Sequence, residues 1–119
     1  MQKIKIKGSL WLQGPQGTLL GKGRMTLLKR IQEYGSINQA AKSLQMSYRQ
    51  AWQIINIMNS QLKSPLVTKI SGGAHGGGSQ VTDIGHQVIH FYENLQKEFQ
   101  AFLADKEEQL KNLEEPPSL

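Results

Sequence analysis

At 119 residues the chain is long enough for one domain with a single hydrophobic core. Because 38% of the residues are hydrophobic and 19% are charged, the composition excludes an intrinsically disordered chain. The absence of cysteine excludes a disulfide framework, a thiolate zinc site and a cysteine nucleophile. No apolar run reaches the roughly 18 residues of a membrane span, and the N-terminus lacks the apolar core of a signal peptide, so we expect a cytoplasmic protein.

Positive charge is concentrated in the first three quarters of the chain. Residues 1–90 hold 11 lysines and arginines against two acids, a net charge of +9, whereas residues 91–119 hold three lysines against seven acids, a net charge of −4. A basic body with an acidic tail favours a polyanionic partner such as nucleic acid. Uneven charge on an ordinary globular protein is the competing interpretation.

The N-terminal segment alternates between apolar and polar residues. From Lys3 to Gln13 one face carries isoleucine and leucine and the other carries mainly lysine, serine and glutamine. A period of two is typical of a half-buried strand. The turn residues Gly14–Gly17 follow, so we predict that Thr18–Leu20 pairs back to form a β-hairpin.

A first helix is predicted from Arg24 to Tyr34. Its residues Leu27, Leu28, Ile31 and Tyr34 recur at helical spacing. Gly35 follows, and glycine is the residue that most readily adopts the left-handed conformation ending a helix.

Two more helices are predicted before Pro65. Ser36 is expected to cap a short helix, and Ser47 a third helix that runs to Leu62. The apolar stripes of the two helices are Ile37, Ala40, Ala41 and Leu44, and then Ala51, Ile55, Met58 and Leu62. Two helices joined by a tight turn of about three to four residues are typical of a helix-turn-helix motif.

The second half of the chain predicts a hairpin and a long helix. Leu66–Ile70 reads as a strand with Gln80–Thr82 as its partner, and the glycine run Gly72–Gly78 between them suits the tip of a wing. Thr82 can cap the last helix, whose apolar stripe is Ile84, Val88, Phe91, Leu95, Phe99 and Phe102.

Together the elements predict an α+β fold: a winged helix-turn-helix with an N-terminal β-hairpin and a long C-terminal dimerisation helix. We expect residues 1–110 to form the DNA-binding domain and residues 111–119 to form a flexible acidic tail. The apolar stripe of the last helix is broad for so small a monomer to cover, which favours a homodimer. Folding of that helix back over the hairpin is the alternative.

The third helix carries the strongest functional signal, since an α-helix fits the major groove with its N-terminal residues at the base edges. Arginine can bind guanine and glutamine can bind adenine, each through two hydrogen bonds. The wing is expected to approach backbone phosphates. The candidate DNA-binding residues are Ser36, Ser47, Tyr48, Arg49, Gln50, Trp52, Gln53, Lys69, His75 and Gln80.

Two aromatic residues in this set have a second interpretation. Tyr48 and Trp52 are large enough to anchor the core beneath the hairpin instead of contacting DNA. A solvated helix face is likewise the competing interpretation for Gln50 or Gln53 taken alone.

Other chemistries find little support in the sequence. The glycine run lacks the GxxxxGK[ST] ending of a phosphate-binding loop. His86 and His90 have the i, i+4 spacing of metal ligands, but no third ligand accompanies them in sequence, and a surface or dimer-seam position explains them. No nucleophile with a base and no paired carboxylates can be assembled, so we expect no metal, no cofactor and no enzymatic activity.

The motifs at the centre of the chain resemble those of a known family. They are Gly35–Lys42, Met46–Trp52 with its SYxxAW pattern, and Met58–Asn59, flanked by Leu20–Arg24, Pro65–Val67, Gly72–Gly78 and Val81–Thr82. In these residues the chain resembles the N-terminal DNA-binding domain of the molybdate-responsive ModE regulators, relatives of the LysR-type winged helices. The resemblance runs from Lys5 to about Leu95.

The resemblance implies a winged helix that dimerises through its first and last helices, with a recognition helix beginning at Ser47. In full-length members molybdate binds a separate C-terminal module for which this sequence holds no residues, so molybdate binding is not expected of these residues. The leading hypothesis is a sequence-specific regulator of molybdate or oxyanion genes that binds double-stranded DNA. The alternative is an architectural or protein-interaction dimer without a specific operator.

Overall fold

A computed structural model describes residues 4–70 and 78–114 of the chain. Its elements are β1 (Leu12–Gly14), β2 (Gly17–Leu20), α1 (Lys22–Tyr34), α2 (Ile37–Ser43), α3 (Tyr48–Asn59), β3 (Val67–Ile70), β4 (Gly78–Val81) and α4 (Asp83–Glu114). Strands β1 and β2 form one antiparallel hairpin and β3 and β4 form another. This order confirms the predicted α+β winged helix-turn-helix. Within the described residues, no helix combines the length and apolarity that crossing a membrane requires.

The hydrophobic core lies where α1, α2 and α3 meet the two hairpins. Helix α1 ends at Gly35, whose φ of 66° is the left-handed conformation predicted for that position. The apolar positions predicted for α1–α3 are buried with few exceptions, and the strand residues Leu20, Val67 and Val81 close the core. Tyr34 is one exception, since it lies exposed at the end of α1.

The prediction of a strand from Lys3 to Gln13 is wrong for most of its length. Only Leu12–Gly14 pairs with β2, because β2 leads after Leu20 directly into α1 and offers no further partner. Residues 4–11 instead lie along α4. Of their apolar face, Ile6 and Leu10 are half-buried and Ile4 is exposed.

Contacts at Tyr92, Phe99 and Glu107 hold residues 4–11, here called the N-terminal strap, on α4. The Tyr92 hydroxyl donates to the carbonyl oxygen of Leu10 at 2.7 Å, and the backbone N–H of Ile6 donates to Glu107 Oε1 at 2.7 Å. Between them Gly8 lies so close to Phe99 that an added Cβ would be 3.0 Å from the ring. The strap therefore covers one flank of α4 beyond the core.

Helix α4 turns a different face to the core from the one that its apolar stripe suggests. The buried residues are Gly85, Ile89 and Tyr92, whereas Phe91 and Phe102 are 60% and 56% exposed. At about 100° per residue, the predicted stripe falls beside the buried face instead of on it. Much of that stripe is thus uncovered by the described residues of one chain.

Candidate nucleic-acid interface

Side-chain caps fix the position at which each helix of the helix-turn-helix begins. Ser36 Oγ accepts from the backbone N–H of Gln39 at 3.2 Å. At α3, Ser47 Oγ accepts from the N–H of Gln50 at 3.0 Å, and Gln50 Oε1 accepts from the N–H of Ser47 at 3.0 Å. This reciprocal pair is a capping box, and it defines the start of α3. Both predicted caps are confirmed.

The solvent face of α3 carries three polar side chains. Ala51, Ile55 and Met58 are fully buried and set the direction of the core. At about 100° per residue, the opposite side of the helix carries Arg49, Gln53 and Asn56, and all three are exposed. An exposed polar face on the second helix of a helix-turn-helix is the surface that enters the major groove.

Asn56 is not among the DNA-binding residues predicted from the sequence. The residue is exposed and follows Gln53 by three positions and Arg49 by seven, which places all three on one stripe. That spacing is visible in the sequence and could have identified it. Gln50, in contrast, is drawn into the capping box through its side-chain oxygen.

Strands β3 and β4 form the base of the wing. Thr68 pairs with Gln80 and Lys69 with Ser79, and the side chains of Lys69 and Gln80 are exposed. The predicted wing-tip glycines up to residue 77 and His75 lie outside the described residues.

The turn between α1 and α2 supports the wing from below. The backbone N–H of Ser79 donates to the carbonyl oxygen of Gly35 at 3.0 Å. An added Cβ at Gly78 would lie 2.6 Å from the same oxygen, so only glycine allows this approach. The carbonyl group of Gly35 is therefore one point at which the wing is joined to the helix-turn-helix.

Asn59, at which α3 ends instead of at Leu62 as predicted, fixes the other end of the wing. Its Oδ1 accepts from the backbone N–H groups of Leu66 and Val67 at 2.8 and 3.2 Å, and its Nδ2 donates to the carbonyl oxygen of Val67 at 3.0 Å. Thr82 completes the frame, since its hydroxyl accepts from the N–H of Gly85 at 3.1 Å as the predicted cap of α4.

Several candidate residues from separate elements meet in one cleft between the helix-turn-helix and the wing. Ser36, Tyr48 and Lys69 all line this cleft, which has a volume of about 340 Å³. Trp52 is half-buried and packs against the core. Its ring also approaches Lys69 Nζ, 5.0 Å from the ring centroid.

The charged residues around this cleft are all of one sign in the sequence. From Tyr34 to Thr82 the chain contains four lysines and arginines and no aspartate or glutamate. This stretch spans α2, α3 and the wing, so the surface they share carries positive charge without internal neutralisation. Phosphate groups are the natural counterpart of such a surface.

Comparison with known proteins agrees with the geometry. Residues 23–86 match the model of the bacterial regulatory helix-turn-helix protein, lysR family. The matched region runs from the first turn of α1 to the first turn of α4, and thus contains the whole helix-turn-helix and the wing.

Curated relatives share more than this motif. The chain is 41% identical to the "Molybdenum transport protein ModE" of Azotobacter vinelandii over 110 residues, which cover 92% of this chain and 41% of that protein. It is 38% identical to the "Transcriptional regulator ModE" of Haemophilus influenzae over 97 residues, covering 82% and 37%. The identity to the "DNA-binding transcriptional dual regulator ModE" of Escherichia coli K12 is 43% over 72 residues, covering 60% and 28%.

The chain thus spans about two fifths of the length of the first two relatives. The similarity bears out the resemblance to a ModE-like DNA-binding domain that the central motifs predict. Because the match to the family model covers more than half of its residues, the chain belongs to the lysR family of bacterial regulatory helix-turn-helix proteins.

Proposed function

We propose that this chain is the DNA-binding part of a transcription regulator and that it recognises a specific operator in double-stranded DNA. The observation that carries the proposal is the exposed stripe of Arg49, Gln53 and Asn56 on α3, opposite the buried residues of that helix. It lies within a stretch that contains no acidic residue. A base-reading surface needs both properties: polar groups for base edges and positive charge for phosphates.

The stripe and the wing have different tasks in this proposal. Arg49 and Gln53 read base edges in the major groove, and Asn56 extends the stripe along α3. Ser36, Ser47, Tyr48 and Gln50 lie at the edges of the groove and position the helix. Lys69, His75 and Gln80 of the wing contact the DNA backbone, which adds affinity without reading sequence. Trp52 lies on α3 beside Lys69.

The regulator binds as a homodimer. Phe91 and Phe102 are 60% and 56% exposed on α4, next to the face that packs on the core, and a second α4 is the simplest cover for them. Helix-turn-helix dimers contact two half-sites about one helical turn apart, roughly 34–36 Å, so the operator is an inverted repeat.

The names of the relatives suggest which genes the operator controls. The relatives are a molybdenum transport protein and transcriptional regulators called ModE. By that similarity, the genes controlled are those of molybdenum transport.

Selection from a random pool of genomic fragments tests the proposal. The purified chain should recover fragments that share one inverted repeat, because base reading discriminates among sequences by about 1–3 kcal/mol for each bidentate contact. The matched control is the double variant Arg49→Ala, Gln53→Ala, which should lose the shared motif and still bind DNA weakly through phosphates. Recovery of fragments without any common motif by the unmodified chain would favour the architectural alternative and overturn the proposal.

A further inference from the structure

Trp52 is placed where α3 and the wing approach each other. Its ring packs against the hydrophobic core on one side and is half-buried. On the remaining side, Lys69 Nζ of β3 lies 5.0 Å from the ring centroid. This distance is within the roughly 6 Å at which an ammonium group is attracted by an aromatic face, and tryptophan is the best partner for it.

Tyr48 belongs to the same arrangement. Its ring meets Trp52 edge-on, with centroids 6.2 Å apart and an interplanar angle of 79°. Tyr48 is 48% exposed and occupies the first position of α3. Tyr48, Trp52 and Lys69, here called the Trp52 cluster, thus form one connected surface from α3 to the wing.

The Trp52 cluster restricts the conformations of the Lys69 side chain. A lysine side chain has many rotamers, and a free one on a wing strand would sample many positions. Among the described residues no carboxylate forms a salt bridge with Lys69. Its contact with the Trp52 ring therefore leaves the charge available while restricting where it points.

We infer that Trp52 is a positioning residue, which holds the ammonium group of Lys69 in the place where a DNA phosphate lies when α3 occupies the major groove. The inference rests on the proposed function, because it assigns to Trp52 a role in DNA binding that acts through another side chain. The recognition helix and the wing then bind the duplex as one surface. The Lys69 side chain is already ordered, so its conformational freedom is not lost at the moment of binding.

A double-mutant cycle tests the inference. Trp52→Leu, Lys69→Met and the double variant are compared for operator binding over a range of salt concentrations. Each single variant should bind the operator about two- to fivefold more weakly, which is the loss expected for one exposed cation–π pair. Each should also lower the salt slope by about one unit, the signature of one lost phosphate contact. The double variant should lose no more than Lys69→Met alone.

Two control variants separate positioning from mere support of the fold. Trp52→Phe retains an aromatic face and should keep most of the salt slope. Lys7→Met removes an exposed lysine of the N-terminal strap, which has no part in the Trp52 cluster, and should leave operator binding unchanged. If Trp52→Leu lowers the melting temperature but leaves the slope intact, or if the two losses simply add, Trp52 does not position Lys69.

The contact itself can be tested without DNA. Protons near the face of an indole ring resonate upfield, so the ε-methylene signals of Lys69 in the unmodified protein should lie upfield of those of the other lysines. This measurement needs no Trp52 variant and decides the contact even if Trp52→Leu does not fold. Normal Lys69 signals in a protein that binds its operator overturn the inference alone, whereas no operator binding by the unmodified protein overturns the proposed function and the inference with it.

Discussion

Arg49 is the one cationic residue of α3, and its position makes its role testable. It lies opposite the buried face, so packing does not explain it. If Arg49 binds a guanine through two hydrogen bonds, Arg49→Ala should cost about 1–3 kcal/mol on the operator and much less on scrambled DNA. Both duplexes are measured at one fixed salt concentration, since salt changes every phosphate contact.

A phosphate contact by Arg49 predicts a different result. Equal losses on the operator and on scrambled DNA would show that Arg49 only positions α3, and base reading would then move to Gln53. Gln53→Ala, on the same face of the helix, is the matched variant that distinguishes these two assignments.

Asn59 satisfies three backbone groups at once and is a residue on which the wing depends. Asn59→Ala should lower the free energy of unfolding by about 1–3 kcal/mol, because the buried backbone groups of Leu66 and Val67 lose their partner. Asn56→Ala, one turn earlier and exposed, should change stability by less than about 0.5 kcal/mol. Urea unfolding of both variants checks the difference, and equal stabilities would contradict the role given to Asn59.

At the level of elements, two helical glycines should respond to alanine in opposite directions. An added Cβ at Gly85 in α4 would lie 2.5 Å from the carbonyl oxygen of Leu66 and 2.6 Å from Val81 Cγ1, whereas nothing lies within 4 Å of one at Gly23 in α1. Gly85→Ala should therefore destabilise by about 1–3 kcal/mol through overpacking. Gly23→Ala should stabilise by up to about 1 kcal/mol through helix propensity. If thermal unfolding shows that both variants are more stable than the unmodified protein, or that both are less stable, this packing of α4 is refuted.

A surface ion pair links α1 to α4 and gives stability a pH dependence. Lys29 Nζ lies 2.8 Å from Glu93 Oε2, and the hydrogen bond from Lys29 holds the pKa of Glu93 below its ordinary value. Because the pKa is lowered on folding, the contribution is present near neutral pH and disappears as the pH falls through the carboxyl titration.

Glu93→Gln should therefore be less stable than the unmodified protein near pH 7, by less than about 1 kcal/mol since the pair is exposed. As the pH falls far enough to protonate the carboxylate in the folded state as well as in the unfolded state, the difference should vanish. Glu98→Gln, an exposed acid on the same helix, is the control. A difference for Glu93→Gln that stays constant from pH 7 to pH 3 would assign it to packing instead of charge.

Elements with local signals could be predicted from the sequence, and contacts between distant segments could not. Ser36, Ser47 and Gly35 mark helix ends because their hydrogen bonds and dihedral angles involve only nearby residues. The strap illustrates the opposite case, since alternation is the same whether a segment pairs with a strand or lies on a helix. Only the path of β2 into α1 decides between them.

The candidate site shows the same division. The polar stripe of α3 follows from helical periodicity, so Arg49 and Gln53 could be identified from the sequence. The approach of Lys69 to Trp52 joins residues 17 positions apart, and no short-range pattern encodes it. The face of α4 that meets the core is likewise set by Gly85, whose small size matters only once Leu66 lies against it.

At the scale of the whole molecule, the uncovered stripe of α4 predicts the state of association. Changing Phe91 and Leu95 together to glutamate would place two charges in the proposed dimer seam and should yield monomers. Ala101→Glu with Ala104→Glu adds the same charge to exposed positions on the other flank of α4 and should leave the dimer intact. Light scattering that finds the unmodified protein monomeric at micromolar concentration would rule out this seam.

The length of α4 makes it a lever. Its 32 residues extend about 48 Å, while the core packs only near its first turns, at Gly85, Ile89 and Tyr92. About 28 Å separate its start from Phe102, the last residue of the proposed seam, so a rotation of about 8° at Phe102 displaces the start of α4 by roughly 4 Å. This displacement exceeds the roughly 3.4 Å step between neighbouring base pairs. In the proposed dimer, a small bend in α4 would be enough to move a recognition helix from one base pair to the next, and we expect the stiffness of this helix to limit which half-site spacings the protein can bind.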